Sequence, residues 1–339
     1  MTTGRWALSL PIVGVPLRRQ TELVRLAESV GFTDGWSSEV DGVDAFSPLI
    51  AGAMVTQQMR FGTALVNVFT RGPATIAMSA SGMAEMAPGR FCLGLGAGSA
   101  PIVERWNGGT FDQPLQRVRD VTTAVRAILT GNRVELHSTT FDIRGFRLSR
   151  PPEVPVKIFL GALQRNMLRT AGELADGALL NWLSPQDVPT ALREISLGLA
   201  RGRATTASDA TEFEVGARLF VWPTRDREAA VQAARRKIAG YLTVPTYRAF
   251  HDWLGRREVL APMQKAWSAG DRRAATESIP DHVIDELFII GSPSECREKV
   301  RAYVAAGVTL PILEITLPAT GATDPFNLYA DSIRALAPE

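Results

Sequence analysis

Eight apolar segments of strand length recur along this chain, and sequence with helical periodicity lies between them. The segments are continuously apolar rather than alternating, which is typical of parallel strands that are covered on both faces. Eight such units indicate closure, so the sequence predicts an α/β fold of the (β/α)8 TIM-barrel type. The predicted strands are Trp6–Leu10, Thr33–Ser37, Met59–Val66, Phe91–Leu95, Val156–Leu160, Ala178–Trp182, Phe213–Trp222 and Pro311–Leu317.

Helix-start signals agree with this alternation. Ser292–Glu295 contains a Ser cap, a Pro at the first helical position and a Glu three residues after the cap, which predicts a capped helix. Ser184 and Pro185 predict a second helix start of the same kind.

Two long connections interrupt the pattern. Apolar residues at even spacing over about 131–155 predict a hairpin excursion. The sequence of about 241–285 predicts extra helices. The short apolar run Leu287–Ile290 is interpreted as a connecting segment. We therefore expect a single barrel domain over residues 1–339 with two excursions.

Charge and cysteine content exclude several classes of function. The formal net charge is only +2, with acidic residues spread among the arginines, which argues against a nucleic-acid-binding face. Cys92 and Cys296 lie within apolar or amphipathic segments and are expected to be buried free thiols. Without a signal-peptide pattern, a membrane-length apolar run or metal-ligand spacing, we expect a cytoplasmic protein without metal or membrane contact.

The stretch "RFCLGLGAGS" (90–99) has glycines at Gly94, Gly96 and Gly98. A dinucleotide-binding turn needs a further glycine where Ser99 stands, and it usually opens the first βαβ unit of a chain. The stretch is therefore interpreted as a buried strand that ends in a bare loop. In a barrel this loop lies at the ligand-binding mouth, where the glycine backbone leaves space for a flat ring.

Four longer segments in order along the chain are typical of one family. They are "GTALVNVFTRGP" (62–73), "APGRFCLGLGAGS" (87–99), "PVKIFLGALQRNMLRTAGELADGALLNWLSP" (155–185) and "GSPSECREKVRAYVAAGV" (291–308). With these segments the chain resembles the luciferase-like monooxygenase superfamily, in particular its branch dependent on the deazaflavin coenzyme F420. Relatives on the same barrel use FMN, which remains the alternative cofactor.

The resemblance implies a cofactor site at the ends of several strands. Ala64 and Leu65 match a pair joined by a cis peptide bond behind the ring, and Asn67 is then placed at the ring edge. The cofactor phosphate is expected at the start of the helix after the fifth strand, where free N–H groups favour an anion. The family's usual Gly-Pro step is replaced there by Gln164-Arg165, which adds a cation. The implied cofactor-binding residues are Ala64, Leu65, Asn67, Gly96, Ala97, Gly98, Gly161, Ala162, Leu163, Gln164, Arg165 and Asn181.

The catalytic positions depart from the family. Several relatives have an Asp-His pair after the second strand, whereas this chain has Ser38 and Glu39, and Ser99 replaces an acidic residue after the glycines. Glu39, Ser38 and Ser99 are the candidate catalytic residues. A carboxylate at a barrel mouth can act as a general acid, although it can equally be a solvated loop residue or a helix cap.

Three functions follow as hypotheses. The first is an F420-dependent oxidoreductase that transfers a hydride to or from a small organic substrate. The alternatives are an FMN-dependent monooxygenase and a cofactor-binding protein with little turnover, because a fold alone does not establish activity. We also expect that the protein forms a homodimer and that it acts on a small-molecule substrate.

Overall fold

The continuously apolar segments form parallel strands in the computed structural model, which describes residues 4–203, 213–317 and 324–338. The strands are β1 (Ala7–Leu10), β2 (Asp34–Ser37), β3 (Arg60–Thr63), β4 (Val66–Asn67), β5 (Phe91–Gly96), β6 (Val134–His137), β7 (Asp142–Phe146), β8 (Lys157–Gly161), β9 (Gly177–Asn181), β10 (Glu214–Pro223), β11 (Phe288–Gly291) and β12 (Leu310–Ile315).

Eight of these strands close into a parallel barrel in the order β1-β2-β3-β5-β8-β9-β10-β12, and β12 pairs again with β1. The short β4 continues the path of β3 and pairs with β5. The predicted (β/α)8 TIM barrel is therefore confirmed. Because all eight strands run in one direction, their carboxyl ends meet at one mouth.

Helices cover the outside of the barrel, because the strands are apolar on both faces. A short π-helical turn (Pro101–Trp106) follows β5. No helix of the described ranges is both long and apolar enough to cross a membrane. The α-helices are α1 (Leu17–Ser29), α2 (Ser47–Ala53), α3 (Pro73–Met86), α4 (Pro114–Leu129), α5 (Arg165–Leu174), α6 (Val188–Arg203), α7 (Arg227–Tyr241), α8 (Pro245–Trp253), α9 (Arg257–Ser268), α10 (Arg272–Glu277), α11 (Asp281–Leu287), α12 (Pro293–Ala305) and α13 (Phe326–Ala335).

In the two long connections, β6 and β7 form an antiparallel hairpin, and α8 to α11 follow α7. The interpretation of Leu287–Ile290 as a connecting segment is wrong. Phe288–Gly291 forms β11, which pairs in parallel with Phe220–Pro223 of β10. The reason is length: β9 pairs with β10 only as far as Arg218, so the end of the longer β10 would otherwise expose an unpaired edge.

The two predicted helix starts have different outcomes. Ser292 forms the predicted capping box with Glu295 at the start of α12. Ser184 does not start a helix, since α6 begins at Val188. Instead, the backbone N–H of Ser184 donates to Asp187 at 2.7 Å, and Arg256 from the insertion contacts the same carboxylate at 2.8 Å. Asp187 thus joins the insertion to the barrel.

Charged side chains close the end of the barrel opposite the mouth. Arg60 contacts the fully buried Asp34 and lies 2.7 Å from Glu214, which Lys157 approaches at 3.3 Å. Burial opposes the charge on Glu214, but the hydrogen bond and charge of Arg60 outweigh it and hold the pKa of this carboxyl below its ordinary value. The network leaves the mouth as the open end of the barrel.

Candidate functional site

The glycines at the mouth face the chain that follows β3. A Cβ on Gly94 would lie 1.8 Å from the carbonyl oxygen of Thr63, and one on Gly96 would lie 2.4 Å from Cδ2 of Leu65. A Cβ on Gly161 would lie 2.3 Å from the same methyl group. The expectation that bare backbone leaves open space here is wrong, because the Leu65 side chain fills it. The glycines make room for Leu65, which becomes the floor of the mouth.

The segment that carries Leu65 has the geometry that the resemblance implies. The peptide bond between Ala64 and Leu65 is cis. The backbone N–H of Ala64 donates to the carbonyl oxygen of Ser37 on β2, and Val66 then pairs with Leu95 in β4. The half-buried Ala64 and Leu65 are thereby fixed between β2 and β5.

Asn67 ends this segment with an incompletely paired side chain. It is 4% exposed, and its Oδ1 accepts a hydrogen bond from the backbone N–H of Phe69 at 2.8 Å. Its Nδ2 is buried and has no hydrogen-bond partner among the described residues. Gly98 lies directly above with φ of +66°, and a Cβ there would lie 2.2 Å from Nδ2. A donor without a partner in a native site calls for an explanation, and a ligand acceptor supplies one.

The loop after β8 leads into α5 as predicted. The backbone N–H of Ala162 donates to the carbonyl oxygen of Leu179 at 3.0 Å, and the side chain of Leu163 packs against the core. Gln164 occupies the cap position of α5 without a side-chain cap bond, since its Nε2 donates to the carbonyl oxygen of Thr246 in α8. The side chain of Gln164 therefore leaves the first N–H groups of α5 uncapped in the part of the chain that the structure describes.

Arg165 lies on the first turn of α5, with 62% of its side chain exposed. Its Nε is 4.0 Å from Oε1 of Glu194, and its guanidinium lies 5.4 Å from the ring centroid of Trp253. Arg169 contacts the same Glu194 more closely, at 2.6 Å. Arg165 thus has only a loose ion pair and a solvent-exposed stacking contact.

Asn181 lies at the end of β9, on the mouth side. Its Oδ1 accepts a hydrogen bond from the backbone N–H of Trp182 at 2.9 Å. Trp182 has a positive φ of 55° and packs against Phe220 and Tyr241. Asn181 is opposite Arg218 in the β9–β10 register, which places the two side chains on the same face of the sheet.

Glu39 is held by an ion pair. Arg71 contacts both carboxylate oxygens, at 2.8 Å and 2.9 Å, and Oε1 also accepts from the backbone N–H of Ala45 at 3.3 Å. These bonds join the loop after β2 to the loop after β4. A carboxylate held this way is well oriented, but it must release Arg71 before it can transfer a proton.

The two serines occupy different sides of the mouth. Ser38 follows β2, its backbone N–H donates to the carbonyl oxygen of Leu10 at 2.9 Å, and it lines a cavity at the ends of β1, β2, β10 and β12. Ser99 follows β5, its carbonyl oxygen accepts from Val103 at 3.1 Å, and the half-buried Ala97 precedes it.

Sequence reasoning missed a charged cluster on the other side of the mouth. Arg218 on β10 lies 2.5 Å from Oε2 of Glu314 on β12, and Lys237 on α7 contacts Oε1 of the same carboxylate. A signal was present, since each charge interrupts an apolar run ("ARLFVW" and "PILEIT") near the carboxyl end of its strand. Such positions in barrels carry function.

Burial shapes the protonation of this cluster. Burial opposes the charge on Glu314, but the charges of Arg218 and Lys237 outweigh it and keep the pKa of the carboxyl below its ordinary value. Burial also lowers the pKa of Lys237 despite the nearby Glu314. Burial raises the pKa of Tyr241, which lies beside them. At neutral pH the carboxyl is ionised and the phenol is protonated.

A cavity of about 550 Å³ opens next to this cluster, between the ends of β1, β2, β10 and β12. Its volume is in the range of small-molecule sites. The residues around it combine apolar, hydroxyl and charged side chains: Leu8, Ser9, Pro11, Ile12, Val13, Val15, Gln20, Ser38, Val40, Asp41, Val43, Arg218, Tyr241, Glu314, Ile315 and Tyr329.

Other titratable groups do not form a second centre. Among the residues placed by the structure, no group of three or more His, Cys, Asp or Glu side chains could hold a metal ion. His251 is fully buried, and burial lowers its pKa to about 3, with a smaller contribution from Arg256. It is neutral at physiological pH and packs against Phe250.

Comparison with protein families identifies the barrel. The profile of the luciferase-like monooxygenase family matches residues 3–310, most of the chain. This chain belongs to the luciferase-like monooxygenase family. In this family member the match includes β1 to β11 and so all of the predicted cofactor residues.

Proteins similar to this luciferase-like monooxygenase family member include one described as dependent on coenzyme F420 and one solved with FMN. A 5,10-methylenetetrahydromethanopterin reductase of Archaeoglobus fulgidus is 31% identical, over 84% of this chain and 86% of the relative. The coenzyme F420-dependent tetrahydromethanopterin reductase of Methanopyrus kandleri has a TM-score of 0.80 at 20% identity, covering 99% and 98% of the two chains. The oxygenating constituent of the 3,6-diketocamphane monooxygenase of Pseudomonas putida, solved with FMN, has a TM-score of 0.65 at 18% identity, covering 100% and 98%.

Proposed function

We propose that this protein is an oxidoreductase that binds coenzyme F420 at the barrel mouth and transfers a hydride between the deazaflavin and a small organic substrate. The observation that carries the proposal is the floor after β3, where Leu65 covers Gly96 and Gly161 and the buried Nδ2 of Asn67 lacks a partner. An apolar floor with one unpaired donor at its edge fits a planar ring with a polar rim. Similarity to proteins described as coenzyme F420-dependent, an oxidoreductase and a tetrahydromethanopterin reductase, supports the choice of cofactor.

The remaining cofactor contacts come from neighbouring strand ends. Ala64 and Leu65 would contact the ring from below, with Asn67 and the Gly96–Gly98 backbone at its edge and Asn181 on the β9 side. The phosphate would bind the N–H groups between Gly161 and Arg165, where α5 has no side-chain cap. Arg165 would exchange its loose contact with Glu194 for the phosphate. An exposed ion pair contributes little, so this exchange costs little.

The bound deazaflavin would supply two-electron chemistry, and the protein would orient both reactants and exclude water. Ser38 lines the substrate cavity and can donate a hydrogen bond there. Glu39 is the candidate proton donor or acceptor once it releases Arg71, and Ser99 is a candidate on the glycine side.

An anaerobic turnover assay tests this activity. The protein is incubated with reduced F420 and a panel of carbonyl and activated-alkene compounds, and F420 reoxidation is followed by absorbance. We expect substrate-dependent reoxidation without oxygen. Turnover only with reduced FMN and oxygen would favour a monooxygenase, the activity that the FMN-bound structural neighbour suggests. Binding without turnover in either assay would favour a cofactor-binding protein.

We propose further that two copies of the chain associate through α2 and α3. Ile50 and Met54 lie one helical turn apart at α2, and Met54 is 69% exposed. Met78 and Met86 lie on one face of the adjacent α3 with the exposed Gly82 between them. Exposed apolar side chains grouped on two adjacent helices favour an interface.

Light scattering after size-exclusion chromatography tests the dimer. We expect a dimer for the wild type and a monomer for Met78→Glu. Leu197→Glu, which places the same charge on the exposed face of α6, should remain dimeric. A monomeric wild type would contradict the proposal.

A reducing, cytoplasmic setting is also proposed, because Cys92 and Cys296 are both free and buried. Burial raises the pKa of the Cys92 thiol to about 12 and that of Cys296 to about 11. Neither thiol is therefore prone to oxidation.

A further inference from the structure

The charged half of the mouth is separate from the proposed cofactor contacts. Arg218 and Glu314 lie on β10 and β12 and both line the cavity of about 550 Å³. Leu65, Gly96 and Gly161 lie on the opposite arc of the barrel, at the ends of β3, β5 and β8. Arg218 is next to Asn181 in the sheet register, so the two halves adjoin at β9 and β10.

The cluster at this cavity carries an excess of positive charge. Arg218 and Lys237 both contact the single carboxylate of Glu314. Nε of Arg218 and Oε2 of Glu314 are both buried without a hydrogen bond of good geometry among the described residues, and 22% of the Arg218 side chain remains exposed. Two cations that share one carboxylate leave one positive charge uncompensated in a partly dry site.

The acidic residues nearby do not neutralise this charge. Glu39 is paired with Arg71. Asp44 accepts hydrogen bonds from Phe46 and Ser47. Asp41 lines the cavity and adds to the effect of burial in raising the pKa of Tyr241, but it is exposed on the loop after β2, where water weakens its charge. The cluster of Arg218, Lys237 and Glu314 therefore keeps a net positive charge beside the cavity, and Arg218 is its cation that lines the cavity.

The rest of the cavity wall is largely apolar. Ile12 and Val43 line it, and Val13 and Val40 at its opening are 74% and 42% exposed. Exposed valines around a concave site favour a ligand with an apolar body. The guanidinium of Arg218 and the apolar wall together favour an amphipathic anion as the ligand.

We propose that Arg218 binds the anionic head group, a carboxylate or a phosphate, of a substrate whose body is apolar. This inference rests on the proposed function, since it names the substrate class of the same barrel mouth. Guanidinium groups bind both kinds of oxyanion through paired N–H donors. Tyr241, protonated and on the same cavity wall, supplies a further donor.

Calorimetric titration of the cofactor-free protein tests the site directly. The probes are hexanoate, hexyl phosphate and the neutral hexanamide, which share an apolar body and differ in the head group. We expect at least one anion to bind about tenfold or more tightly than the amide. The stronger of the two anions then identifies the head group as carboxylate or phosphate.

Three variants assign the preference to Arg218. Arg218→Met should abolish it, whereas Arg218→Lys, which keeps the charge beside Glu314, should retain an anion preference. Arg235→Met removes a cation of α7 that pairs with Asp281 and does not line the cavity, and it should behave as the wild type. Thermal unfolding checks that each variant is folded. If Arg218→Met is not folded, Arg218→Lys tests whether the cation at this position causes the anion preference.

The inference is overturned if the amide binds as tightly as the anions, if no probe binds, or if Arg218→Met keeps the preference. Titration of F420 into the same preparations separates this outcome from the proposed function. F420 binding without an anion preference would refute only the Arg218 site. An anion preference without F420 binding would support the Arg218 site and refute the cofactor assignment.

Discussion

At the scale of single residues, Asn67 is the most direct test of the ring edge, because its Nδ2 is buried without a partner. Replacing Asn67 with Ala should raise the Kd for F420 about tenfold, which corresponds to ~1.4 kcal/mol and to one lost hydrogen bond. Calorimetry measures the change. The exposed Asn132→Ala is the matched control and should bind as the wild type. Unchanged affinity in Asn67→Ala would remove this residue from the site.

Arg165 tests the phosphate end of the same site. Arg165→Ala should weaken binding of F420 about tenfold, since it removes a charge-assisted hydrogen bond, and should hardly affect a truncated deazaflavin that lacks the phosphate. Arg169→Ala, which also frees Glu194 but lies one turn further along α5, is the control and should bind both compounds normally. Equal effects of Arg165→Ala on both compounds would return Arg165 to a surface role.

At the scale of elements, the glycines test how β3, β5 and β8 fit together. Gly94→Ala should be strongly destabilising, because its Cβ meets the backbone oxygen of Thr63. Gly96→Ala should cost less, about 1–3 kcal/mol, because it meets the end of the Leu65 side chain. A second change, Leu65→Ala, should recover part of that loss in a double-mutant cycle. Gly240→Ala, which has open space around it, should not destabilise.

Urea denaturation of these variants measures how much each substitution lowers the free energy of unfolding. Additive effects of Gly96→Ala and Leu65→Ala would show that the two residues do not compete for space. That result would contradict the assignment of Leu65 as the floor of the mouth.

The ion network at the closed end of the barrel gives a pH-dependent prediction. Arg60→Met leaves Asp34 and Glu214 without their main partner and should cost about 3–5 kcal/mol at neutral pH. Arg133→Met, at an exposed and loose ion pair, should cost less than about 0.5 kcal/mol. Equal losses in the two variants would contradict a structural role for the network.

The acid dependence follows from the lowered pKa of Glu214. Its stabilising contribution is complete above its unfolded value near 4.5 and is lost as the pH falls through the lower folded value. The wild type should therefore lose stability below about pH 4.5, and its advantage over Arg60→Met should shrink there. Urea midpoints measured across this range check the trend.

At the scale of the whole molecule, much of the fold could be predicted because buried parallel strands are continuously apolar. The hairpin β6–β7 lies where apolar residues recur at even spacing. Leu287–Ile290 was misassigned because a run of four apolar residues carries no period. Only the length of β10, which extends beyond β9, explains why β11 pairs there.

The site was less predictable, because its contacts join residues distant in sequence. The glycine pattern indicated a close approach but not that Leu65 makes it. Glu39 was identifiable as a carboxylate at the mouth, but its pairing with Arg71 depends on the loop after β4. Arg218 and Glu314 could have been found, since a charge within an apolar strand is a local signal.

Side-by-side calorimetric titration of coenzyme F420 and FMN into one preparation tests whether the mouth prefers F420. We expect F420 to bind with a Kd about tenfold or more below that of FMN, and we expect Asn67→Ala to reduce this difference. Tighter binding of FMN, or equal binding of both, would show that the mouth is not selective for F420.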